Sequence, residues 1–321
     1  MGIGDLMKIL VTGGAGFIGN YMVGKLLSAG NNVVVYDNLV LGKREYLESY
    51  EEHSQFQFIK ADLLDMPQLM DAMQGIELVC HLAANSDISY GATHTDVDLK
   101  NGTLATYNVL EAMRLCGVKK IIFASSSAIY GDTGGGFAIP ENYGPLLPIS
   151  LYGASKLACE ALITAFCHNF SMQAWIYRFA NIVGINGTHG AIVDFIAKLR
   201  NDNTVLEILG NGQQAKPYLH VSDCVDGIIY GYAHSNEEIN YFNLGVEGAT
   251  NVTRIAEIVR SEMELPSAKF IYTGGNRGWV GDVPQVRFDI RKLTTLGWCA
   301  AYSSDEAVRL AVREQLGKGG L

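Results

Sequence analysis

A short run rich in β-branched residues, Lys8-Ile-Leu-Val-Thr12, breaks off into Gly13-Gly-Ala-Gly-Phe-Ile-Gly19, and no other stretch of the chain restricts its fold so tightly. A brief apolar run closed by glycines reads as a buried parallel strand. Gly14 to Gly19 then has the spacing G-x-G-x-x-G, with Gly13 adding a second glycine spacing. Phe17 to Ala29 carries helical periodicity until Gly30 stops it. A strand, a glycine turn and a helix in that order let the backbone approach a pyrophosphate and aim unpaired N–H groups at it. Asn32-Val-Val-Val-Tyr36 forms the next strand, and Asp37 closes it roughly 20 residues beyond the loop. A carboxylate there accepts hydrogen bonds from an adenosine ribose and repels a 2′-phosphate. No arginine follows at once, since Asn38-Leu-Val-Leu comes next, so the pattern favours NAD over NADP. Asp62-Leu63, after the third strand, either meets the adenine or opens a helix with Asp62 as its N-cap.

Further short strands are expected at Phe56–Ile59, Leu78–Leu82, Lys120–Ala124 and Ala174–Arg178, with helices between them over Asp98–Cys116 and Tyr152–Phe170. This alternation predicts an α/β fold, a Rossmann-type doubly wound parallel sheet. After about Gly184 the rhythm breaks into glycine-rich loops and mixed elements, which predicts a smaller mixed α/β substrate-binding domain. Asp223–Tyr232 reads as a helix returning to the main sheet. The expected division is therefore 7–183 plus 217–246 for the dinucleotide domain, and 184–216 plus 247–321 for the second.

The 321 residues are 48% hydrophobic, ample for a core of that size, and the formal net charge is −9. With no basic run, nucleic acid and anionic membranes are poor partners. No apolar stretch approaches transmembrane length. The six cysteines include no C-x-x-C pair and lie mostly in apolar runs, as small buried hydrophobes in a reducing cytoplasm would. No metal ligand set is assigned. Residues 1–6 read as a disordered leader or a start-site ambiguity, with no signal peptide visible.

Tyr152 and Lys156 stand four residues apart in Leu151-Tyr-Gly-Ala-Ser-Lys-Leu157, so on a helix they share a face. An ammonium beside the phenol, together with a cationic nicotinamide, is expected to lower its pKa and make it a proton acceptor for a sugar hydroxyl. Ser125-Ser-Ser127 ends the strand before it, where ligands of such sheets collect. A serine hydroxyl there can bridge Tyr152 and a substrate hydroxyl; a plain polar strand end is the alternative.

Taken together, Val11–Gly19, His81-Leu-Ala-Ala84, Ser125–Gly131, Pro148–Lys156, Arg178-Phe-Ala-Asn-Ile-Val-Gly184 and Tyr218-Leu-His-Val221 resemble the extended short-chain dehydrogenase/reductase family. Within it the chain is most similar to the archaeal and bacterial UDP-glucose (UDP-galactose) 4-epimerases. The resemblance runs from about Met7 to Glu314. It implies Ser126, Tyr152 and Lys156 as the catalytic set. For NAD it implies Gly13, Gly16, Phe17, Ile18, Gly19, Asp37, Asn38, Asp62, Leu63, Leu82, Ala83, Ala84, Tyr152, Lys156 and Phe179. For a UDP-sugar it implies Ser126, Tyr152, Asn181, Val193, Lys216, Tyr218, Arg277, Asp282 and Val286. The implied reaction oxidises C4 to a ketone, turns the 4-keto sugar over and returns the hydride to its other face, so that NAD stays bound between turnovers.

Sibling activities differ at the serine turn. Dehydratases of the family carry Asp-Glu just after the catalytic residue, and decarboxylases a Glu at the second place. This chain has Ser127 and Ala128, and alanine moves no proton. The chain departs from the family elsewhere. Gly102-Thr-Leu-Ala-Thr106 stands where Asn-Val-x-Gly-Thr is usual, and Lys216 replaces an arginine. A second usual arginine is Trp279, with Arg277 two places earlier, either reaching the diphosphate or lying on the surface. Val286 falls at the position that limits room around the sugar C2; a small side chain there implies that N-acetylhexosamine nucleotides are also accepted. The helices Asp98–Cys116 and Tyr152–Phe170 each carry two apolar stripes, and the resemblance, whose members commonly pair these helices across a two-fold axis, implies a homodimer; the alternative is that both stripes are covered within one chain. The other readings are a dehydratase or decarboxylase, or a non-catalytic NAD-binding regulator on the same fold.

Overall fold

The computed structural model describes residues 6–275, 277–278 and 283–319. In chain order its first half runs β1 (Lys8–Thr12), α1 (Phe17–Ser28), β2 (Asn32–Asp37), β3 (Phe56–Lys60), α2 (Met66–Ala72), β4 (Leu78–His81), α3 (Ile88–Thr93), α4 (Ala105–Cys116), β5 (Lys120–Ser126) and α5 (Leu151–Phe170). The remainder runs β6 (Gln173–Phe179), β7 (Asn181–Val183), α6 (Ala191–Asn201), β8 (Val205–Ile208), β9 (Ala215–Lys216), β10 (Tyr218–His220), α7 (Val221–Ala233), β11 (Ile239–Leu244), β12 (Thr250–Asn251), α8 (Val252–Glu262), β13 (Lys269–Tyr272), α9 (Arg291–Leu296) and α10 (Ser304–Gln315).

Seven strands form one sheet in the order β11-β6-β5-β4-β1-β2-β3. Parallel pairings join β1 to β2 and β4, β2 to β3, and β4 to β5. This is the doubly wound arrangement expected, and the order reverses between β1 and β4. Ile9, Leu10 and Val11 are wholly inaccessible, as residues covered on both sheet faces must be. Leu10, Val34, Val79, Ile121 and Phe123 pack with Val109, Leu110 and Met113 of α4 and Ile163 of α5 in one core.

The chain divides into two compact units, residues 1–129, 148–178 and 225–242, and residues 130–147, 179–224 and 243–321. This differs from the expected division at four places, residues 130–147, 179–183, 217–224 and 243–246, all of which join the second unit. Residues 130–147 join the second unit because Ile139 bridges Phe288 and the Asn243 amide donates to the Ile139 carbonyl at 2.8 Å. Residues 179–183 and 217–224 join it because β7 pairs with β10 in a separate small sheet. The second unit has its own core, with Phe195 and Leu199 of α6, Ile255 and Val259 of α8, and Val308 and Ala311 of α10.

The helix expected over Asp98–Cys116 is also modified. Leu99–Leu104 forms a wider, π-helical turn and only then does the regular α4 begin. A Cβ on Gly102 would collide with the Ser155 Oγ, and that hydroxyl donates to the Asp98 carbonyl at 2.7 Å, engaging a backbone acceptor from outside the helix. Helix α5 starts where Ser150 Oγ accepts from the Gly153 N–H at 3.1 Å.

Within the first unit, Thr12 Oγ1 lies 2.7 Å from His81 Nδ1, and His81 Nε2 lies 3.0 Å from Thr106 Oγ1. Burial, with the positive charge of Lys156 as a lesser cause, lowers the His81 pKa to about 3, so it is a neutral link between β1, β4 and α4.

The glycine turn is closed by backbone contact. A Cβ on Gly19 would run into the Gly13 carbonyl oxygen and come within 2.7 Å of Gly14 Cα. An ordinary Gly→Ala change inside a helix gains about 1 kcal/mol. Here Gly19→Ala is expected to lose about 1–3 kcal/mol through overpacking, read as a lower urea midpoint.

Candidate active site

The first unit carries two halves of a site. At the glycine turn, Gly13 has φ +70° and its N–H donates to the Tyr36 carbonyl at 3.0 Å. A Cβ on it would come within 2.8 Å of the Ala83 backbone, so the turn after β1 sits directly against the Leu82-Ala83-Ala84 segment after β4. That is the topological switch point, where ligands of such sheets bind. The first hydrogen bond within α1 runs from Asn20 N to Gly16 O, and no side chain caps the helix start. The N–H groups of Phe17, Ile18 and Gly19 are therefore available to an anion.

Asp37 ends β2 almost fully buried. Its two carboxylate oxygens accept from the Ala15 N–H at 3.0 Å and the Leu39 N–H at 2.8 Å. Burial raises its pKa, opposed by those two bonds. Each oxygen keeps acceptor capacity for a ribose hydroxyl. Asn38 Nδ2 donates to Asp62 Oδ2 at 2.9 Å, and the Leu64 N–H donates to Asp62 Oδ1 at 2.9 Å. Asp62 is thus exposed and braced beside Asn38. The N-cap of α2 is Asp65, three residues later, which accepts from Gln68. Leu63 is buried, and Phe179 ends β6, also buried. These features fit a dinucleotide with a free 2′-hydroxyl: a backbone cradle with no room for side chains, an uncapped helix start and a fixed carboxylate.

The second half is built by β5 and α5. Ser126 ends β5 and its Oγ accepts from the Ala128 N–H at 3.1 Å. Tyr152 lies in the first turn of α5, its phenol in hydrogen-bonding reach of the Ser126 side chain. A Cβ on Gly153 would come within 2.6 Å of the Ala128 carbonyl oxygen, so only glycine lets the helix start press this closely on the serine turn.

Lys156 is buried and its Nζ donates to the Ala124 carbonyl at 2.6 Å. It faces the rings of Phe123 at 4.8 Å and Tyr152 at 5.8 Å. Burial lowers its pKa, countered by Cys159, Glu160 and Asp98.

The expected lowering of Tyr152 combined Lys156 with a cationic nicotinamide; in the protein alone, burial outweighs the other influences. Burial pushes the phenol up to about 12, the Ser126 hydrogen bond pulling the other way and Asp98 and Cys159 pushing further up. In the protein alone Tyr152 is a neutral phenol, and a cation bound beside it would favour the ionised form.

One supporting group escaped the sequence reading. Glu160, one turn beyond Lys156, takes Arg178 Nη2 at 2.8 Å, Arg178 Nε at 3.1 Å and Ser125 Oγ at 2.5 Å, with both charged side chains almost wholly buried. The only signal was its i+4 spacing from Lys156.

In the second unit, Asn181 and Tyr218 are register partners in the β7–β10 pair. Lys216 pairs with Thr250, and the Val286 N–H donates to the neighbouring Ala215 carbonyl at 3.2 Å. Asn181, Lys216, Tyr218 and Val286 therefore lie along one strip. Val193 sits in the first turn of α6. Arg277 is ion-paired with Asp132 at 2.8 Å. Asp282 and Trp279 lie outside the described residues. Among the described residues no group of three or more His, Cys, Asp or Glu side chains is placed to hold a metal, and no helix is long and apolar enough to cross a membrane.

A doubly wound sheet with a glycine cradle, a β2 carboxylate and a Ser/Tyr/Lys set defines a NAD-binding enzyme of the short-chain dehydrogenase/reductase type. Residues 9–245 match the model of the NAD-dependent epimerase/dehydratase family, and the chain belongs to that family. It is 30% identical to the UDP-glucose 4-epimerase of Mycolicibacterium smegmatis, over 91% of this chain and 93% of that protein. A crystal structure of a UDP-galactose 4-epimerase superposes with a TM-score of 0.85 at 36% identity, covering 97% of this chain and 99% of the other. The UDP-glucose 4-epimerase of Thermotoga maritima, solved with UDP-glucose, gives 0.87 at 30% identity, covering 97% and 99%. Relatives with other names also match, among them UDP-glucuronic acid decarboxylase 1 of Arabidopsis thaliana at 29% identity, covering 84% of this chain and 61% of that protein. The chain is an epimerase-type enzyme with NAD as its cofactor.

If Tyr152 is a buried phenol that only a cation activates, its ring carbon should titrate near pH 12 in NAD-free protein and at lower pH with NAD⁺ bound. Carbon NMR of labelled tyrosine, with the signal assigned by its loss in Tyr152→Phe, reads both values. An identical midpoint in the two states would refute the electrostatic account.

Proposed function

We propose that this enzyme interconverts UDP-hexoses at C4, with UDP-glucose and UDP-galactose as the pair. The observation that carries the reading is the Ser126–Tyr152–Lys156 set with Ala128 behind it. One proton must leave and re-enter at a single hydroxyl, and one phenol–serine pair serves that need. Elimination or decarboxylation would call for a further acid or base, and residues 127 and 128 supply none.

NAD, held by the glycine turn and Asp37, supplies a reversible hydride acceptor at the substrate carbon. Tyr152 takes the proton from the C4 hydroxyl oxygen and later returns it. Ser126 relays between that oxygen and the phenol, and Lys156 holds the cofactor ribose. In this reading Asn181, Lys216, Tyr218 and Arg277 bind the nucleotide diphosphate and sugar, with Asp282 at the ribose and Val193 alongside. Arg277 first exchanges Asp132 for the diphosphate. Val286 leaves room for an N-acetyl group at C2, so N-acetylhexosamine nucleotides are substrates too. A UDP-N-acetylglucosamine 4-epimerase of Methanobrevibacter ruminantium is among the structures this chain resembles, at 26% identity and a TM-score of 0.86.

The six cysteines are all unpaired, which supports a reducing, cytoplasmic setting. A homodimer is supported by exposed apolar side chains around α4 and α5, namely Leu104, Tyr107 and Leu115, and Leu151 and Phe170. Light scattering at micromolar concentration should give twice the chain mass, and Tyr107→Glu should shift it toward the single-chain value.

The activity is tested by a proton-NMR time course with UDP-glucose and no added NAD. Growth of the galactose anomeric signal is expected, together with its loss in Tyr152→Phe. A product of altered mass would favour dehydration or decarboxylation. No turnover of UDP-glucose, its N-acetylated analogue or UDP-glucuronic acid by NAD-replete protein would leave the regulator reading.

A further inference from the structure

The run Ser125-Ser-Ser127 closes β5 beside α5, and its hydroxyls are not equivalent. Ser125 is 1% accessible, whereas Ser126 and Ser127 are half-buried. A hydroxyl buried that deeply needs a partner within the protein. Ser125 Oγ donates to Glu160 Oε1 at 2.5 Å. A carboxylate acceptor makes such a bond stronger than one between neutral groups. The Ser125 proton is therefore committed to Glu160, and this serine is not the one offered to a substrate.

The acceptor is itself held in place. Arg178 of β6 reaches Glu160 through Nε at 3.1 Å and Nη2 at 2.8 Å. The same guanidinium lies 5.0 Å from the ring of Tyr241 on β11, whose hydroxyl is 2.7 Å from Thr164 Oγ1. Thr164 Oγ1 donates in turn to the Glu160 carbonyl at 2.8 Å. Because β11, β6 and β5 are neighbours in the sheet, the carboxylate that Ser125 meets is tied to the two strands beside its own.

The effect falls on the end of β5. Tyr152, Lys156 and Glu160 recur every four residues along one face of α5. Three consecutive residues of β5 answer them. The Ala124 carbonyl accepts from Lys156 Nζ at 2.6 Å, Ser125 donates to Glu160, and Ser126 faces Tyr152. Beyond Ser126 the chain turns at once into Ser127–Tyr130, where the Ala128 N–H returns to Ser126 Oγ at 3.1 Å. Ser125 is thus the side-chain anchor next to the serine that must meet the phenol. Reacting groups need such support, since they have to be held within about half an ångström.

We propose that Ser125 is a positioning residue: its hydroxyl, fastened to Glu160, holds the end of β5 so that the Ser126 hydroxyl meets the Tyr152 phenol. The assignment rests on the reading of Ser126 and Tyr152 as the proton-transfer pair.

Ser125→Ala removes this one bond and leaves Glu160 both of its Arg178 contacts. Two readouts in the full chain test it. Hydrogen exchange of the Ala128 amide reports its bond to Ser126 Oγ, and it should quicken by about two- to tenfold, the range one ordinary hydrogen bond confers. The Asn20 amide of α1, bonded to the Gly16 carbonyl, is the control and should keep its rate. In the same variant kcat for 4-epimerisation should fall about ten- to a hundredfold with KM unchanged, because Ser125 acts on geometry and not on substrate binding. Should Ser125→Ala not fold, Ser125→Cys, close in size and a weak donor, carries the same expectation. Unchanged exchange at Ala128 in a folded variant overturns the proposal, and so does an unchanged kcat. Faster exchange spread evenly over β5, α5 and α1, with a lower urea midpoint, marks a role in stability alone and overturns it too. Faster exchange confined to the serine turn, in a protein whose unaltered chain epimerises nothing, upholds the positioning and sinks the catalytic reading instead.

Discussion

The buried Arg178–Glu160 pair ties α5 to the central sheet, and the placement of Tyr152 and Lys156 on that helix depends on it. Arg178 comes from β6, Glu160 from α5, and Ser125 from β5 closes the network with its hydroxyl. Removing one member of such a pair leaves an uncompensated buried charge and costs about 3–5 kcal/mol. A well-packed apolar replacement would serve stability as well. What the pair adds is register: it sets which turn of α5 meets β5, and one turn earlier Lys156 reaches the Ala124 carbonyl. One turn earlier still, Gly153 allows backbone contact with Ala128 and brings Tyr152 to Ser126.

A helix fixed this way carries ionisable groups into a low-dielectric place, and their protonation follows from burial before anything else. Tyr152 is driven up and Lys156 down, so both tend toward their neutral forms. In the reaction proposed above, a cation beside the phenol would favour its ionised form.

Much of this was legible along the chain because the governing contacts are local. The glycine turn is legible since strand, turn and helix are consecutive, and backbone approach demands glycine at Gly13 and Gly19 whatever lies elsewhere. Asp37 is legible since it terminates the strand that must lie beside β1. Tyr152 and Lys156 are legible since helical periodicity alone puts them on one face. Asp62 was half legible: its place after β3 was right, but the helix cap belongs to Asp65, and residues three apart in a polar turn look alike without coordinates.

Non-local contacts were opaque. Residues 130–147 follow β5 in sequence yet pack with the second unit, because Ile139 finds Phe288 and Asn243. Arg277 finds Asp132 across a long stretch of chain. Asp98 looks like an ordinary acid opening a helix, and its burial arises only when α5 brings Ser155 against the π-helical turn. By itself the sequence determined the sheet class, the dinucleotide turn and the Tyr/Lys face, each a matter of backbone sterics over a few consecutive residues. Only the tertiary structure decided which unit each segment joins and which protonation states the site adopts, because burial and pairing are set by residues that sequence places far apart.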